Sequence, residues 1–215
     1  MQANFLEELI IKGDFEAVKS YLPDHHSEII KITSHGVSPL MLSCYFHQSA
    51  ITTLLVASLD NLTLFEAAAA GKFDVVAHEV FKNPAKINDY SEDGFTALGL
   101  AAYFGIEEVA RYLVLKGAEV NLPSKNGFNV YPLHSAVAGN HTSIARMLIE
   151  NEAEVNVLQK SGVSPLHSAA QNGNIEIIIL LLEKGAKVDT RMEGGKLAAD
   201  LAIEKGYLEI AEILS

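Results

Sequence analysis

The sequence has 215 residues, of which 49% are hydrophobic and 20% charged, with 15 Gly and 6 Pro, a balance that suits a well-packed protein and excludes a disordered or collagen-like chain. Its formal net charge of −11 comes without any basic run, so it is poorly suited to nucleic acid or to an anionic membrane surface, which Lys and Arg must hold. The single cysteine, Cys44, permits no internal disulfide and gives secretion no support.

Read from the start, MQANFLEELI has no basic segment ahead of an apolar stretch and does not look like a signal peptide. LIIKGDFEAVKSYL then predicts two short helices broken at Gly13. SPLMLSC at 38–44 and TALGLAA at 96–102 open two further helices, and YPLHSAV from Tyr131 and SPLHSAA from Ser164 repeat that pattern, with Leu133 and Leu166 33 residues apart. LAADLAI at 197–203 is a weaker copy. Ser38, Thr96 and Ser164 are predicted N-caps, and Pro39 and Pro165 occupy the first helical turn, where a missing N–H does no harm. GAEVN at 117–121, EAEVN at 152–156 and GAKVD at 185–189 set Val120, Val155 and Val188 at spacings of 35 and 33. Gly13, His47, Gly71, Gly105, Asn140, Gly173 and Gly206 each precede a second helix and are suited to a left-handed turn. Val109 and Leu113, Ile144 and Leu148, and Ile177 and Leu181 share i, i+4 spacing on the buried face of that second helix.

A recurrence of about 33 residues carrying S/T-P-L-H-x-A resembles the ankyrin repeat. The resemblance covers nearly the whole chain and implies an all-α ankyrin-repeat solenoid of about seven helix-turn-helix units with short β-hairpin-like fingers. The predicted units of one domain, 1–215, are about 4–31 (an N-terminal cap), 35–58, 59–88, 89–121, 122–156, 157–189 and 190–215 (a C-terminal cap). Only 24 residues separate His47 from Gly71, so a finger is expected to be missing there. Gly127 and Leu133 are six apart whereas Gly94 and Leu98 are four apart, which places a two-residue insertion at about Asn129 and Val130.

The resemblance also implies that His134 and His167 bond neighbouring repeats together. His25-His26 reads as solvated surface, and Cys44 as a buried, inert thiol. No catalytic motif, metal-ligand spacing or phosphate-cradling loop occurs, so neither catalysis nor a cofactor or metal is expected. Related arrays use finger tips and the exposed side of inner helices to hold a protein partner. Those positions are Tyr45 and Phe46; Tyr90, Glu92, Asp93, Phe95, Tyr103 and Phe104; Lys125, Asn126 and Phe128; Leu158, Lys160, Gln171 and Asn172. With aromatics only 7% of the chain, the grouping of Tyr90, Phe95, Tyr103, Phe104 and Phe128 marks one concave binding face. The expected function is therefore non-enzymatic protein binding in the cytoplasm, without nucleic acid or membrane. The alternatives are a homodimer through the same patch, or an enzyme or small-molecule binder at the junction of units two and three or at the insertion. Inward packing of Phe104 and Phe128 is the competing reading of those two rings.

Overall fold

A computed structural model describes residues 5–215, so the expected start of the first unit at Asn4 lies outside the described residues. Fourteen α-helices occur among them. They are α1 (Phe5–Lys12), α2 (Phe15–Tyr21), α3 (Pro39–Tyr45), α4 (Ser49–Ser58), α5 (Leu64–Ala69), α6 (Phe73–Lys82) and α7 (Ala97–Phe104), then α8 (Glu107–Leu115), α9 (Pro132–Ala138), α10 (Thr142–Glu150), α11 (Pro165–Asn172), α12 (Ile175–Glu183), α13 (Ala198–Lys205) and α14 (Leu208–Ile213). Strand content among the described residues amounts to one isolated antiparallel bridge, Tyr90 to Thr96. The fold is all-α.

The predicted caps and turns explain why the chain breaks into helices of this length. Ser38 accepts the Met41 N–H at 3.3 Å, Thr96 the Gly99 N–H at 3.0 Å and Ser164 the His167 N–H at 3.4 Å. Gly13, His47, Gly71, Gly105, Asn140, Gly173 and Gly206 all take left-handed φ angles between +54° and +83°. Each reverses the chain into the second helix of a pair.

The chain forms two compact units, Met1–Lys82 and Asn83–Ser215. In the first, α3 packs between α1 and α5, and α4 against α2. Residues 59–63 alone join α4 to α5, so the missing finger is real: Thr63 caps α5 directly, exchanging hydrogen bonds with Glu66 at 2.9 and 3.2 Å. The Ser38 hydroxyl also donates to Glu66, at 2.6 Å, tying the start of α3 to α5. Glu7, 1% exposed, accepts from the Ser34 N–H and hydroxyl and contacts His35 Nδ1, at 2.7 Å. Those three bonds hold its carboxyl below the usual range, outweighing the opposite effect of burial, which is the largest single influence.

In the second unit α7, α9, α11 and α13 stack as an inner row, and α8, α10 and α12 as an outer one. Val109, Leu113, Ile144, Leu148, Ile177 and Leu181 are buried between the rows, as their spacing predicts. Ala101, Ala102, Ala169 and Ala170 are buried too, which keeps the inner helices thin.

Three side-chain ladders fix the register of the stack. Asn88 accepts the Glu119 N–H at 2.9 Å, Asn121 the Glu154 N–H at 2.8 Å and Asn156 the Lys187 N–H at 2.9 Å. The amides of Asn121 and Asn156 also donate to the carbonyls of Glu152 and Gly185. Val120, Val155 and Val188 therefore stand in matching layers, each beside a rung. The signature histidines form the second ladder. Nδ1 of His134 accepts the Tyr131 N–H at 3.3 Å, which leaves Nε2 to carry the proton and donate to the Val163 carbonyl at 3.0 Å. His167 repeats the arrangement with the Ser164 N–H and the Lys196 carbonyl. Burial pulls the His134 pKa down to about 4 and lowers that of His167, so both rings are neutral. The third ladder covers the turns: His141 donates from Nε2 to the Tyr103 carbonyl at 3.0 Å, and its ring fills the space where a side chain on Gly105 would stand. Tyr207 covers Gly173 in the same way.

Candidate protein-binding surface

Fingers link each outer helix to the next inner one, and each closes on its own backbone bond. Ser91 N–H donates to Phe95 O at 2.9 Å, Gln159 to Val163 at 3.0 Å and Met192 to Lys196 at 3.0 Å. Successive fingers are then joined: Lys125 N–H to Gly94 O at 2.8 Å, Lys160 N–H to Phe128 O at 2.9 Å and Glu193 N–H to Ser161 O at 2.8 Å. The four tips thus form one fixed edge running from Asp89 to Leu197.

The insertion alters one tip. There Ser124 N–H donates to Val130 O at 2.9 Å, so Val130 occupies the closing position that Phe95 holds in the finger before it. The extra residues are accordingly Phe128 and Asn129, not Asn129 and Val130. Asn129 takes a left-handed φ of +54°, turning the loop outward, and Phe128 is left 60% exposed. The competing expectation of inward packing fails for Phe128. Asn126 supports the bulge by accepting from the Ser124 hydroxyl at 2.8 Å and the Phe128 N–H at 3.2 Å.

The other aromatic residues are less uniform than the sequence implied. Tyr103 is 38% exposed at the end of α7 and meets Phe104 edge to face, ring centres 5.1 Å apart, while Phe104 is half-buried. Phe95 is half-buried too and lies against the start of α7 near Gly99. Tyr90 is half-buried beneath the Lys125 ammonium, which sits 4.2 Å from its ring centre. Removal from water, and secondarily the Glu119 charge, raises the Tyr90 phenol pKa, so its hydroxyl stays protonated. Glu92 is exposed; Asp93 is half-buried and accepts from the Ser91 hydroxyl. Leu158, Lys160 and Gln171 are exposed. Asn172 is occupied by the scaffold, donating to the carbonyls of Val137 at 2.9 Å and Ala138 at 3.3 Å. Tyr45 and Phe46 end α3 in the first unit, Tyr45 half-buried and Phe46 exposed beside the His35 ring.

Cys44 is buried and desolvation raises its thiol pKa to about 11, the opposite of activation. His25 stacks flat on Tyr21, ring centres 3.9 Å apart, in an exposed turn. Among the described residues no group of three or more His, Cys, Asp or Glu is placed to hold a metal ion, and no helix is long and apolar enough to cross a membrane.

Paired helices, left-handed turns, asparagine and histidine ladders and a row of bonded fingers together define an ankyrin-repeat protein. Comparison with known proteins agrees: the family described as ankyrin repeats (3 copies) matches residues 6–124, 64–159, 115–192 and 133–215, and the chain belongs to that family. Among curated relatives, ankyrin repeat and SAM domain-containing protein 6 of Rattus norvegicus is 37% identical over 144 residues, which is 67% of this chain and 14% of the relative. The probable 26S proteasome regulatory subunit p28 of Saccharomyces cerevisiae is 28% identical over 66% of this chain and 68% of its own length. The RelA-associated inhibitor of Mus musculus is 34% identical over 43% of this chain and 11% of its own length. The matched part of this chain thus spans about a seventh of the Rattus relative, 14% of its length.

Proposed function

We propose that this chain is a non-enzymatic protein-binding module that grips a protein partner along the fingers and the adjoining inner-helix ends of its fourth and fifth repeats. The observation that carries the reading is the outward display of Phe128, 60% exposed on the enlarged finger, with the partly exposed Tyr103 at the end of α7 in the repeat before it. Exposed apolar patches mark interaction sites, and large aromatic side chains are enriched at binding hot spots. Two of the similar proteins bear names that place them with other proteins, a proteasome regulatory subunit and an inhibitor associated with RelA. The division into seven units with the boundaries given above belongs to the same proposal, as do a cytoplasmic setting and the absence of nucleic acid among the partners.

The test is affinity capture from a cell lysate with the wild-type chain and with the double variant Tyr103→Ala/Phe128→Ala. Neither ring lies among the fully buried side chains of the stack, so the variant is expected to keep its helical circular dichroism while losing the proteins that the wild type retains. An identical set captured by a folded variant would defeat the assignment of the site.

A further inference from the structure

We propose that the finger edge of residues 122–164 receives an extended acidic peptide segment, with Lys125 and Lys160 pairing its carboxylates on either side of an apolar residue seated against Phe128. This rests on the reading of the chain as a protein-binding module and gives its partner a chemistry.

Charge is unevenly divided in the second unit. The finger of repeat four carries Asp89, Glu92 and Asp93, and no cation. The next three fingers carry Lys125, Lys160, Arg191 and Lys196 against the single acid Glu193, although the chain as a whole has a net charge of −11. Acids return on the far side of the repeats, as at Glu150, Glu152 and Glu154, in and after α10. The inner helices α9 and α11 contribute no Asp, Glu, Lys or Arg, so the helices behind Lys125 and Lys160 carry no acid to neutralise them.

These cations are also available. Lys196 is engaged with Glu204 at 2.6 Å, but among the described residues Lys125, Lys160 and Arg191 take part in no ion pair. Lys125 is held over the Tyr90 ring, which fixes its ammonium without neutralising it. Lys160 is bonded through its own N–H to the carbonyl of Phe128, so lysine and exposed ring project from a single pair of joined backbones. Leu158, 44% exposed, extends the apolar ground on the Lys160 side. A rigid cation–aromatic–cation edge needs little ordering on binding, which favours an extended acidic segment with one apolar side chain. The acidic finger of repeat four sets the direction: the end of the segment over Glu92 should be neutral or basic.

A polynucleotide fits worse. Its affinity rests on the number of phosphates neutralised, and a short stretch of free cations in an acidic chain supplies few.

Peptides displayed on phage as a random 16-residue library, selected on the whole chain at physiological salt, test this directly. Selected peptides should be rich in Asp and Glu, should carry an aromatic or large aliphatic residue, and as synthetic peptides should lose at least about tenfold in affinity for Lys125→Glu/Lys160→Glu. The milder Lys125→Gln/Lys160→Gln variant should lose less, and both variants should retain wild-type circular dichroism. Peptides that need Tyr103 and Phe128 but show no acidic excess, and bind the charge-reversed variant equally well, would overturn the acidic assignment and leave the binding surface standing. Peptides indifferent to all of these substitutions would overturn both. Tighter, lysine-dependent binding of a 30-nucleotide single-stranded DNA would also overturn the proposal, in favour of a nucleic-acid edge.

Discussion

Acidification should weaken this protein in part through the His134 ring, and the size of that contribution can be worked out. His134 is fully buried and neutral, its pKa drawn from 6.5 down to about 4 chiefly by desolvation. A depressed folded-state value means that its contribution is complete above the unfolded-state pKa and is lost as pH falls towards the folded one. At pH 5 the unfolded chain holds nearly one proton on this residue that the folded chain does not, a difference spread over some 1.5 pH units, which costs about 2 kcal/mol relative to pH 7.5. Replacement by Gln removes the titration. Its amide can donate to the Val163 carbonyl but leaves the Tyr131 N–H without its acceptor, so the variant should begin about 1–3 kcal/mol less stable at pH 7.5. Urea unfolding of both proteins at pH 7.5 and pH 5, followed by far-UV circular dichroism and tyrosine fluorescence together, gives the comparison. His167 and the carboxylates act in both proteins and cancel in the difference. The wild type should fall by about 2 kcal/mol more than the variant over this range. Equal falls, or a His134 ring that titrates near 6.5 by NMR in the folded protein, would refute the assignment of a neutral, desolvated rung.

Three other substitutions or treatments probe the scaffold. Asn156→Ala should cost about 1–3 kcal/mol in urea unfolding, because the Lys187 N–H and the Gly185 carbonyl both lose a partner in the next repeat. Gly173→Ala places a methyl group 2.5 Å from the Tyr207 ring at a φ of +70°, and should speed amide hydrogen exchange in α14 more than in α9. The Cys44 thiol, buried with its pKa near 11, should resist a thiol-specific reagent at pH 8 in the folded protein and react at once in 6 M guanidinium.

Most of the scaffold could be read in advance because it depends on local chemistry. A Ser or Thr cap, a Pro in the first turn and a residue able to turn left-handed act within a few positions of one another, and all seven reversals fell on the residues predicted. Repetition then multiplied each weak signal. What escaped were interactions between segments far apart in the chain. Glu7 reads as an ordinary surface acid of an amphipathic helix, yet it is buried by Ser34 and His35, some 27 and 28 residues away. Asn172 falls at a partner-facing position of the repeat pattern, but its amide reaches back 35 residues to Val137. His141 carries no signature of a rung in the sequence, although it follows a turn residue just as Tyr207 does. The candidate surface was legible as a set of positions and not as a shape. Counting residues showed that two had been added to one finger, but only the bond from Ser124 to Val130 shows that they expel Phe128.

That displaced bond separates two kinds of inheritance in the molecule. The finger seals itself at its base, and its tip is tied to its neighbours through the backbone of Lys125 and Phe128, so the side chains there can change while those main-chain bonds stay in place. New tips could be grafted onto residues 125–129 as interchangeable reading heads, while the helices behind them go on carrying the load unaltered.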